Sequence, residues 1–428
     1  MLTYLIAAGL LLMALFGTPL FAIILAVAMA GFATLEIDLS VIAIELYRIT
    51  STPVLVALPL FTFAGYLLGE SNTSRRLVRL TRAFLGWMPG GLAIVAFVAC
   101  ALFTAFTGAS GVTIVALGAL LLPALRETGY DESFSIGLVT SSGSLGLLLA
   151  PSLPLILYGI VAQQLDVGQA VTFEELFLAG LLPALLMVVL LSLYSLWAHR
   201  NSPLPLTRIS GGEAWSALRE AVWELPLPVF VLGGIYSGTF AVSEAAAVTA
   251  LYVLIVEVFV YREIPLSALP GIMREAMVMV GGILLILGVS LAFTNFLIDA
   301  EVPARLFAEI QAQVTDPMVF LALLNLLLLV LGMLLDIFSA IIIMVPLILP
   351  MAVSYGIDPI HLGIVFLANM QIGYFTPPVG MNLFIASYRF KKPVTELYRA
   401  AVPFMLVLLV AVLIITYFPR LSLLLIRN

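Results

Sequence analysis

Small polar residues and glycines recur at four places inside long apolar runs, and their types suit ion and anion binding. The four groups are Thr107-Gly108-Ala109-Ser110-Gly111 and the stretches 141–154, 332–339 and 373–380. Glycine adopts backbone angles that other residues resist, and proline removes an N–H donor, so both interrupt helices. Carbonyls freed in this way, with hydroxyls nearby, suit a hard, weakly hydrated cation such as Na⁺. Helix N-termini facing the same cavity suit an anionic substrate group.

Ionisable and amide side chains in apolar surroundings are further candidates. Asp336 lies in an apolar run from 318 to 353. A charge at membrane depth is costly and usually lines a cavity or pathway, although a structural pair is the alternative. Glu244 could equally cap a helix or serve transport, and Asn382 could equally face a cavity or bond a neighbouring helix. Because no Arg or Lys falls deep in a predicted span, backbone N–H groups, hydroxyls and a bound cation would hold a substrate carboxylate.

The composition places these groups in a membrane protein. Of 428 residues, 63% are apolar and 10% are charged, against about 25% charged in soluble domains. Mean hydropathy is +1.20, which excludes a water-soluble fold and a disordered chain. The net charge of −6 gives no basic footprint for nucleic acid. One cysteine and two distant histidines indicate neither a disulfide framework nor a metal site, and no cofactor is predicted.

Apolar runs long enough to span a bilayer cover nearly the whole chain and predict one all-α polytopic domain with about 11 or 12 membrane-embedded segments. Polar islands separate these segments. The predicted parts are N-terminal scaffold segments in 1–69, an interrupted element in 90–165, scaffold segments in 176–298 with a cytoplasmic loop at 199–225, a second interrupted element in 319–388, and a last span at 400–419.

The two interrupted elements match each other as an internal repeat. A shift of 227 residues, without gaps, aligns five pairs of Gly, Pro and Asp residues. These pairs are Pro123 with Pro350, Gly129 with Gly356, Asp131 with Asp358, Gly146 with Gly373, and Pro151 with Pro378. Each repeat is predicted to contain a re-entrant hairpin, 90–125 or 319–353, followed by a span unwound near its middle, 133–165 or 361–388.

The distribution of positive charge predicts that the repeats have opposite orientations. Cytoplasmic loops are enriched in Lys and Arg. Four arginines lie in 70–82 before the first repeat, whereas 299–316 before the second is mainly acidic. The exits are reversed, since 159–175 has no Lys or Arg and 388–399 has four. Inverted repeats with Gly/Pro-interrupted segments indicate a secondary transporter whose site lies where the interruptions meet.

At these residues the chain resembles the large membrane subunit of tripartite ATP-independent periplasmic (TRAP) transporters. The resemblance rests on Thr107-Gly108-Ala109-Ser110-Gly111, on Gly143 to Ser152, on Ser243-Glu244-Ala245-Ala246, and most specifically on Gly373-Tyr374-Phe375-Thr376-Pro377-Pro378-Val379-Gly380-Met381-Asn382-Leu383. It implies an elevator-type transporter of the bacterial inner membrane. It also implies Na⁺-driven uptake of an organic acid, a periplasmic substrate-binding protein and a separate small membrane subunit.

The resemblance also implies the ligands. One Na⁺ would lie between the first tip and first break, at Thr107, Ser110, Gly146, Leu149 and Pro151. The other would lie between the second tip and second break, at Gly332, Gly373, Thr376 and Val379. Substrate contacts would come from Ser110, Ser152, Asp336, Thr376 and Asn382.

The sequence therefore predicts a Na⁺-coupled symporter for a small organic anion. A stand-alone ion-coupled carrier that needs no binding protein is the alternative within the same class. A polytopic membrane enzyme is disfavoured because paired acids or Ser/His sets are missing from the pattern. A purely structural subunit is disfavoured because repeated helix breaks serve no scaffold purpose.

The inverted arrangement predicts the sides of two residues. Accessibility labelling should find Gln164 facing the outside and Lys392 facing the cytoplasm. Labelling of both from the same compartment would contradict the inversion and the site built on it.

Overall fold

The computed structural model describes residues 15–50, 52–88, 90–165, 170–200 and 211–426, together with residues 9, 12, 13 and 168. Within this part of the chain every regular element is helical. Eight of the described helices are long and apolar enough to cross a membrane, and a bent pair, Glu132–Leu148 with Leu153–Gln164, is long and apolar enough to be a ninth span if its two halves cross together. The prediction of an all-α polytopic fold is confirmed.

The helices of the first half are α1 (Leu20–Thr34), α2 (Ser40–Thr50), α3 (Ala57–Glu70), α4 (Thr73–Leu85), α5 (Gly91–Thr107), α6 (Ser110–Glu127), α7 (Glu132–Ser142), α8 (Leu153–Gln164), α9 (Phe173–Ala198) and α10 (Gly211–Glu220). The helices of the second half are α11 (Pro226–Tyr236), α12 (Val242–Ile255), α13 (Leu269–Asp299), α14 (Val302–Gln313), α15 (Pro317–Leu334), α16 (Ile337–Ser354), α17 (Pro359–Gly373), α18 (Met381–Phe390), α19 (Val394–Tyr417) and α20 (Arg420–Leu423). Short 3₁₀ turns cover Pro53–Val56 and Leu145–Leu148, and a π-helical turn, Val256–Val260, extends α12.

Helix pairs and helix interruptions lie within both predicted repeat elements, while the re-entrant character of the pairs stays a prediction. The pairs α5/α6 and α15/α16 are each joined by two residues, Gly108-Ala109 and Leu335-Asp336. The run α7/α8 is interrupted after Ser142, and the run α17/α18 after Gly373. The interruptions therefore fall at the Gly-, Pro- and Ser-rich groups singled out in the sequence.

Equivalent aspartates begin the two broken helices. Asp131 caps α7 by accepting hydrogen bonds from the N–H groups of Ser133 and Phe134. Asp358, 227 residues later, caps α17 by accepting from those of Ile360 and His361. Such caps satisfy N–H groups that have no partner within the helix. The matched aspartates of the two repeats thus have the same structural role.

The two broken helices run antiparallel to each other. Lys392, just after α18, contacts Glu132 at the start of α7 at 3.1 Å. At the other end, Tyr158 on α8 donates a hydrogen bond to the Pro359 carbonyl at the start of α17, at 2.6 Å. Between these ends, Ser144 Oγ donates to the Gln371 carbonyl at 3.1 Å, and these residues are themselves 227 apart. The repeats therefore meet at equivalent residues, while their orientation in a membrane stays a prediction.

The polar islands contain amphipathic helices. The arginine island forms α4, the acidic island contains α14, and part of the predicted loop 199–225 forms α10. Residues 201–210 lie outside the described residues. The sequence predicts these islands only as connections, but their apolar residues recur with helical spacing. Leu77, Val78, Phe307 and Ile310 are partly buried against the core.

Contacts group the described helices into two sets, which we name the scaffold bundle and the repeat body. Helix α13 packs against α1, α2 and α3, and α3 also packs against α12. The hairpins and broken helices pack together with α19, and α9 packs against α5, α17, α19 and α20. Segment 176–198, which we grouped with the scaffold segments, thus lies in α9 against helices of the repeats.

A glycine allows α9 to pack directly against the first interruption. A Cβ atom at Gly180 would collide with the carbonyl oxygen of Leu148. Gly180→Ala should therefore lower the free energy of unfolding by about 1–3 kcal/mol through overpacking. Thermal unfolding of the purified protein in detergent measures this effect.

Gly281→Ala is the matched control, because Gly281 lies within α13 and a Cβ there meets nothing within 4 Å. It should be neutral or stabilise by up to about 1 kcal/mol. Equal melting temperatures for both variants would contradict the close approach at Gly180.

Candidate functional site

The first hairpin tip places a buried hydroxyl without a partner beside the interrupted helix. Helix α5 ends at Thr107, and Gly108 follows with φ +65°, a conformation that favours glycine. A Cβ at Gly108 would also lie 2.7 Å from the Leu153 side chain. Thr107 is 1% exposed, and its Oγ1 has no hydrogen-bond partner among the described residues. An unpartnered buried oxygen is costly, so it marks a position where a ligand atom would stabilise the structure.

Asn382 joins the first hairpin tip to the second break. Ser110 Oγ donates to Asn382 Oδ1 at 2.8 Å across 272 residues of sequence. The backbone N–H of Asn382 donates to the Tyr374 carbonyl at 2.8 Å, and its side-chain amide approaches the Thr140 carbonyl at 3.5 Å. Asn382 is fully buried. One amide therefore connects elements of both repeats.

The first break packs backbone to backbone against the first hairpin. A Cβ at Gly146 would collide with the Ala101 carbonyl oxygen and the Ala105 nitrogen on α5. Thr104 Oγ1, on the same helix, donates to the Gly143 carbonyl at 2.8 Å. Hydroxyl and backbone groups of the hairpin thus satisfy part of the interrupted segment.

The second break repeats this arrangement. A Cβ at Gly332 would lie 2.9 Å from the Cα of Gly373, so α15 and α17 touch at two glycines. Gly332 and Gly373 correspond to Ala105 and Gly146 under the 227-residue shift. The hydroxyl of Tyr374 accepts a hydrogen bond from the Ile337 N–H at 2.6 Å, which fastens the second tip to the second break.

Asp336 caps the second arm of the second hairpin. Its Oδ1 accepts hydrogen bonds from the N–H groups of Phe338 and Ser339, each at 3.0 Å, and its Oδ2 accepts from the Ser339 hydroxyl. The residue is half-buried. These bonds supply the local partners that a carboxylate at membrane depth requires. The prediction that Asp336 lines a substrate cavity remains a prediction.

Three other predicted site residues differ in their burial and in their hydrogen bonds. Ser152 is fully buried and donates to the Leu147 carbonyl at 2.7 Å. Thr376 Oγ1 donates to the Ile372 carbonyl at 2.8 Å. Val379 is 41% exposed. Each donating hydroxyl keeps oxygen lone pairs for a cation or an N–H donor, so these assignments stay predictions.

Leu149 and Pro151 occupy the segment between the 3₁₀ turn and α8. The N–H of Leu149 donates to the Gly146 carbonyl, and the Leu149 carbonyl accepts from the Ser152 N–H, each at 3.0 Å. Among the predicted site residues, Ser110 hydrogen-bonds to Asn382, and Gly332 packs against Gly373. The described contacts include none between Asp336 and Ser152.

Glu244 caps a helix, which is one of the two roles, capping or transport, that the sequence allows for it. Its side chain accepts a hydrogen bond from the Ala241 N–H at 2.9 Å at the start of α12, and the residue is exposed.

Sequence reasoning missed three residues that contact the interruptions. Thr104 and Tyr374 bond to the tips and breaks as described, and Gln371 is fully buried with an Oε1 atom that has no partner among the described residues. Tyr374 lies inside the glycine-rich motif, and Gln371 is two residues before Gly373, so proximity to the motif was the available signal. Thr104 lies within an apolar helix and gave none.

A scaffold helix touches the first tip through a glycine. A Cβ at Gly65 on α3 would lie 2.8 Å from the Cα of Thr107 and 2.9 Å from the Phe106 carbonyl oxygen. Glycine is the residue that permits such a close backbone approach. The first tip therefore lies directly against the scaffold bundle.

Comparison with known proteins agrees with this architecture. Residues 5–421 match the family described as "Tripartite ATP-independent periplasmic transporter, DctM component". The chain is 37% identical over 383 residues to a C4-dicarboxylate TRAP transporter large permease protein of Pseudomonas aeruginosa, covering 89% of this chain and 88% of that protein. It is 32% identical over 413 residues to an ectoine/5-hydroxyectoine TRAP transporter large permease protein of Ruegeria pomeroyi, covering 96% and 95%.

Two further relatives extend the comparison. An isethionate TRAP transporter permease protein, DctMQ, of Oleidesulfovibrio alaskensis is 35% identical over 379 residues, which cover 87% of this chain and 58% of that protein. The solved structure of the YdaH transporter of Alcanivorax borkumensis matches with a TM-score of 0.58 at 15% identity, covering 89% and 88%. That structure shares the fold.

The Ser110–Asn382 hydrogen bond should contribute measurably to stability. Ser110→Ala leaves Asn382 Oδ1 buried without its partner, which costs about 1–3 kcal/mol. Ser354→Ala is the control, because Ser354 is exposed and bonds only the Pro350 carbonyl of its own helix. Thermal unfolding should separate the two variants, and an unchanged melting temperature for Ser110→Ala would argue against the contact.

Proposed function

Because this chain belongs to the DctM component family of tripartite ATP-independent periplasmic transporters, we propose that it is the Na⁺-coupled symporter subunit for a small organic anion. It is a multi-pass transporter of the bacterial inner membrane and not an enzyme. The observation that carries the proposal is the meeting of the first tip and the second break at Ser110 and Asn382, beside the unpartnered hydroxyl of Thr107.

The donor chemistry supports Na⁺ as the coupling ion. The first ion would be held by Thr107, Ser110, Gly146, Leu149 and Pro151, and the second by Gly332, Gly373, Thr376 and Val379. Hydroxyl and backbone carbonyl oxygens are hard ligands of low charge. Thr107 Oγ1 is a buried oxygen with no partner in the described residues, and a cation would satisfy it.

Shared residues would couple ion binding to substrate binding. Ser110 would belong both to the first Na⁺ site and to the substrate contacts, which also include Ser152, Asp336, Thr376 and Asn382. An ion that fixes the first tip would therefore order part of the anion site. By linkage, the substrate anion would then raise the affinity for Na⁺ by the same factor.

Alternating access would be a movement of the repeat body against the scaffold bundle. The hairpins and broken helices form one packed unit, and the first tip touches α3 at Gly65. Because Gly65 has no side chain beyond a hydrogen atom, no side chain protrudes at this contact to block sliding of the two surfaces. Rigid-body movement of this unit would carry the site across the bilayer.

Relatives support the substrate class and the partners. The names of three relatives specify C4-dicarboxylates, isethionate and ectoines, so small organic acids and related compounds are the class proposed. This chain covers 58% of the DctMQ relative, which leaves room there for a second component. We propose a separate small membrane subunit and a periplasmic substrate-binding protein as partners.

Transport in proteoliposomes tests the proposal. Vesicles with this chain and its cognate small subunit should take up one member of a panel of organic acids when the binding protein and an inward Na⁺ gradient are supplied. Replacing Na⁺ by K⁺ should abolish uptake. Uptake by this chain alone would favour the stand-alone carrier, and equal uptake without Na⁺ would overturn Na⁺ coupling.

The Thr107 hydroxyl should set the Na⁺ requirement. Thr107→Val keeps the shape but removes the oxygen, so the Na⁺ concentration for half-maximal uptake should rise about tenfold to hundredfold. Thr107→Ser keeps the oxygen and should remain close to wild type. The same Na⁺ dependence in both variants would remove Thr107 from the ion site.

A further inference from the structure

A buried cluster of charges lies outside the transport site, where α4 meets the end of α12. Arg76 on α4 contacts Glu224 at 2.6 Å, Glu257 at 3.3 Å, and Glu263. Its guanidinium carbon also lies 3.9 Å from the centre of the Tyr261 ring. The cluster joins the amphipathic helix before the first hairpin to the scaffold bundle, on the side that the positive charges predict to be cytoplasmic.

The cluster contains more acids than bases. Arg76 is 3% exposed, Glu257 is fully buried, and the Glu224 side chain is 5% exposed. One guanidinium and three ionised carboxylates would leave a net charge of −2 largely excluded from water. Burying uncompensated charge is costly, and a buried acid usually takes up a proton instead.

Hydrogen bonding around Thr73 indicates where a proton would lie. Thr73 Oγ1 is 2.8 Å from Glu224 Oε1 and 3.2 Å from Glu257 Oε1. A threonine hydroxyl has one hydrogen to donate. If it donates to Glu224, the nearer carboxylate, the contact with Glu257 is favourable only when Glu257 donates in turn.

Glu224 provides an independent sign of unsatisfied negative charge. Its second oxygen, Oε2, is buried without a hydrogen-bond partner among the described residues, and the residue is 6% exposed. Burial raises the pKa of the Glu224 carboxyl, although Arg76 opposes the shift. The described residues contain no group of three acids or histidines arranged to hold a metal ion. Protonation of one carboxyl group of the cluster would remove part of this charge.

The groups facing Glu257 define its environment. They are Arg76 and Thr73 on α4, Glu224 before α11, and Tyr261 and Glu263 after the π-helical turn. Glu70, at the end of α3, is exposed. Arg79, the next arginine along α4, forms salt bridges with two acids of α10, Glu213 and the last residue, Glu220.

We propose that this cluster is a proton-binding site, in which Glu257 is a neutral carboxylic acid that donates its hydrogen to Thr73 Oγ1. Thr73 in turn donates to ionised Glu224, and Arg76 pairs with Glu224 and Glu263. The bound proton reduces the net charge of the cluster to −1. Loss of the proton would place a second uncompensated charge where α4 is anchored to the scaffold.

Infrared spectroscopy of the full-length protein in detergent tests the proposal. At neutral pH, wild type should show a protonated-carboxyl C=O band that Glu257→Gln lacks. Glu213→Gln is the matched control, because Glu213 is an exposed carboxylate that pairs with Arg79 outside the cluster, and it should keep the band. A spectrum of Glu257→Gln identical to wild type, or loss of the band only in Glu213→Gln, would overturn the assignment.

The pH dependence of stability gives a second readout. The folded protein would hold a proton that the unfolded chain releases, so wild type should lose thermal stability as pH rises from about 5 to about 8. Glu257→Gln should flatten this slope, because its amide is neutral throughout and still donates to Thr73. An unchanged slope would contradict the proposal.

A third variant covers the case in which Glu257→Gln does not fold. Thr73→Val removes the acceptor of the acid hydrogen, so the carboxylic-acid band should shift to higher frequency. An unmoved band in Thr73→Val would contradict the proposed bond.

Discussion

Backbone groups left unpaired inside a bilayer must find partners, and this requirement governs how the hairpins and broken helices of the repeat body pack. Four chain interruptions lie within apolar helices, and each exposes N–H and carbonyl groups where water is scarce. Thr104 satisfies the Gly143 carbonyl, Tyr374 satisfies the Ile337 N–H, and Asn382 connects Ser110 to the second break. Among the described residues, the Thr107 hydroxyl is one of the buried polar groups without a hydrogen-bond partner, and in our account it binds a Na⁺ ion.

Close backbone contact is the second means of supporting the interruptions. Glycines at 146, 332 and 373 let the backbone of each hairpin lie directly on its broken helix. The same contacts make the hairpins and broken helices one packed unit, which is a requirement for rigid-body movement. In the function we propose, this arrangement would serve both ion coordination and motion.

Much of this organisation could be predicted from the sequence, because glycine, proline and aspartate act locally. Asp131 and Asp358 cap the first turns of the helices that follow them. Gly373 and Gly380 lie at the two ends of one helix interruption. The partner of Ser110 is 272 residues away, and no local rule selects Asn382 for it. The burial of Arg76 was also missed, because an arginine run usually marks a solvated face and only tertiary packing distinguishes Arg76 from exposed Arg75.

Direct measurement of Na⁺ binding to the purified chain, without substrate or partner proteins, tests the central claim that an ion completes the interrupted helices. The account predicts saturable Na⁺ binding that raises the melting temperature and that K⁺ at the same concentration does not reproduce. Identical melting temperatures in Na⁺ and K⁺, with no saturable Na⁺ binding, would contradict it.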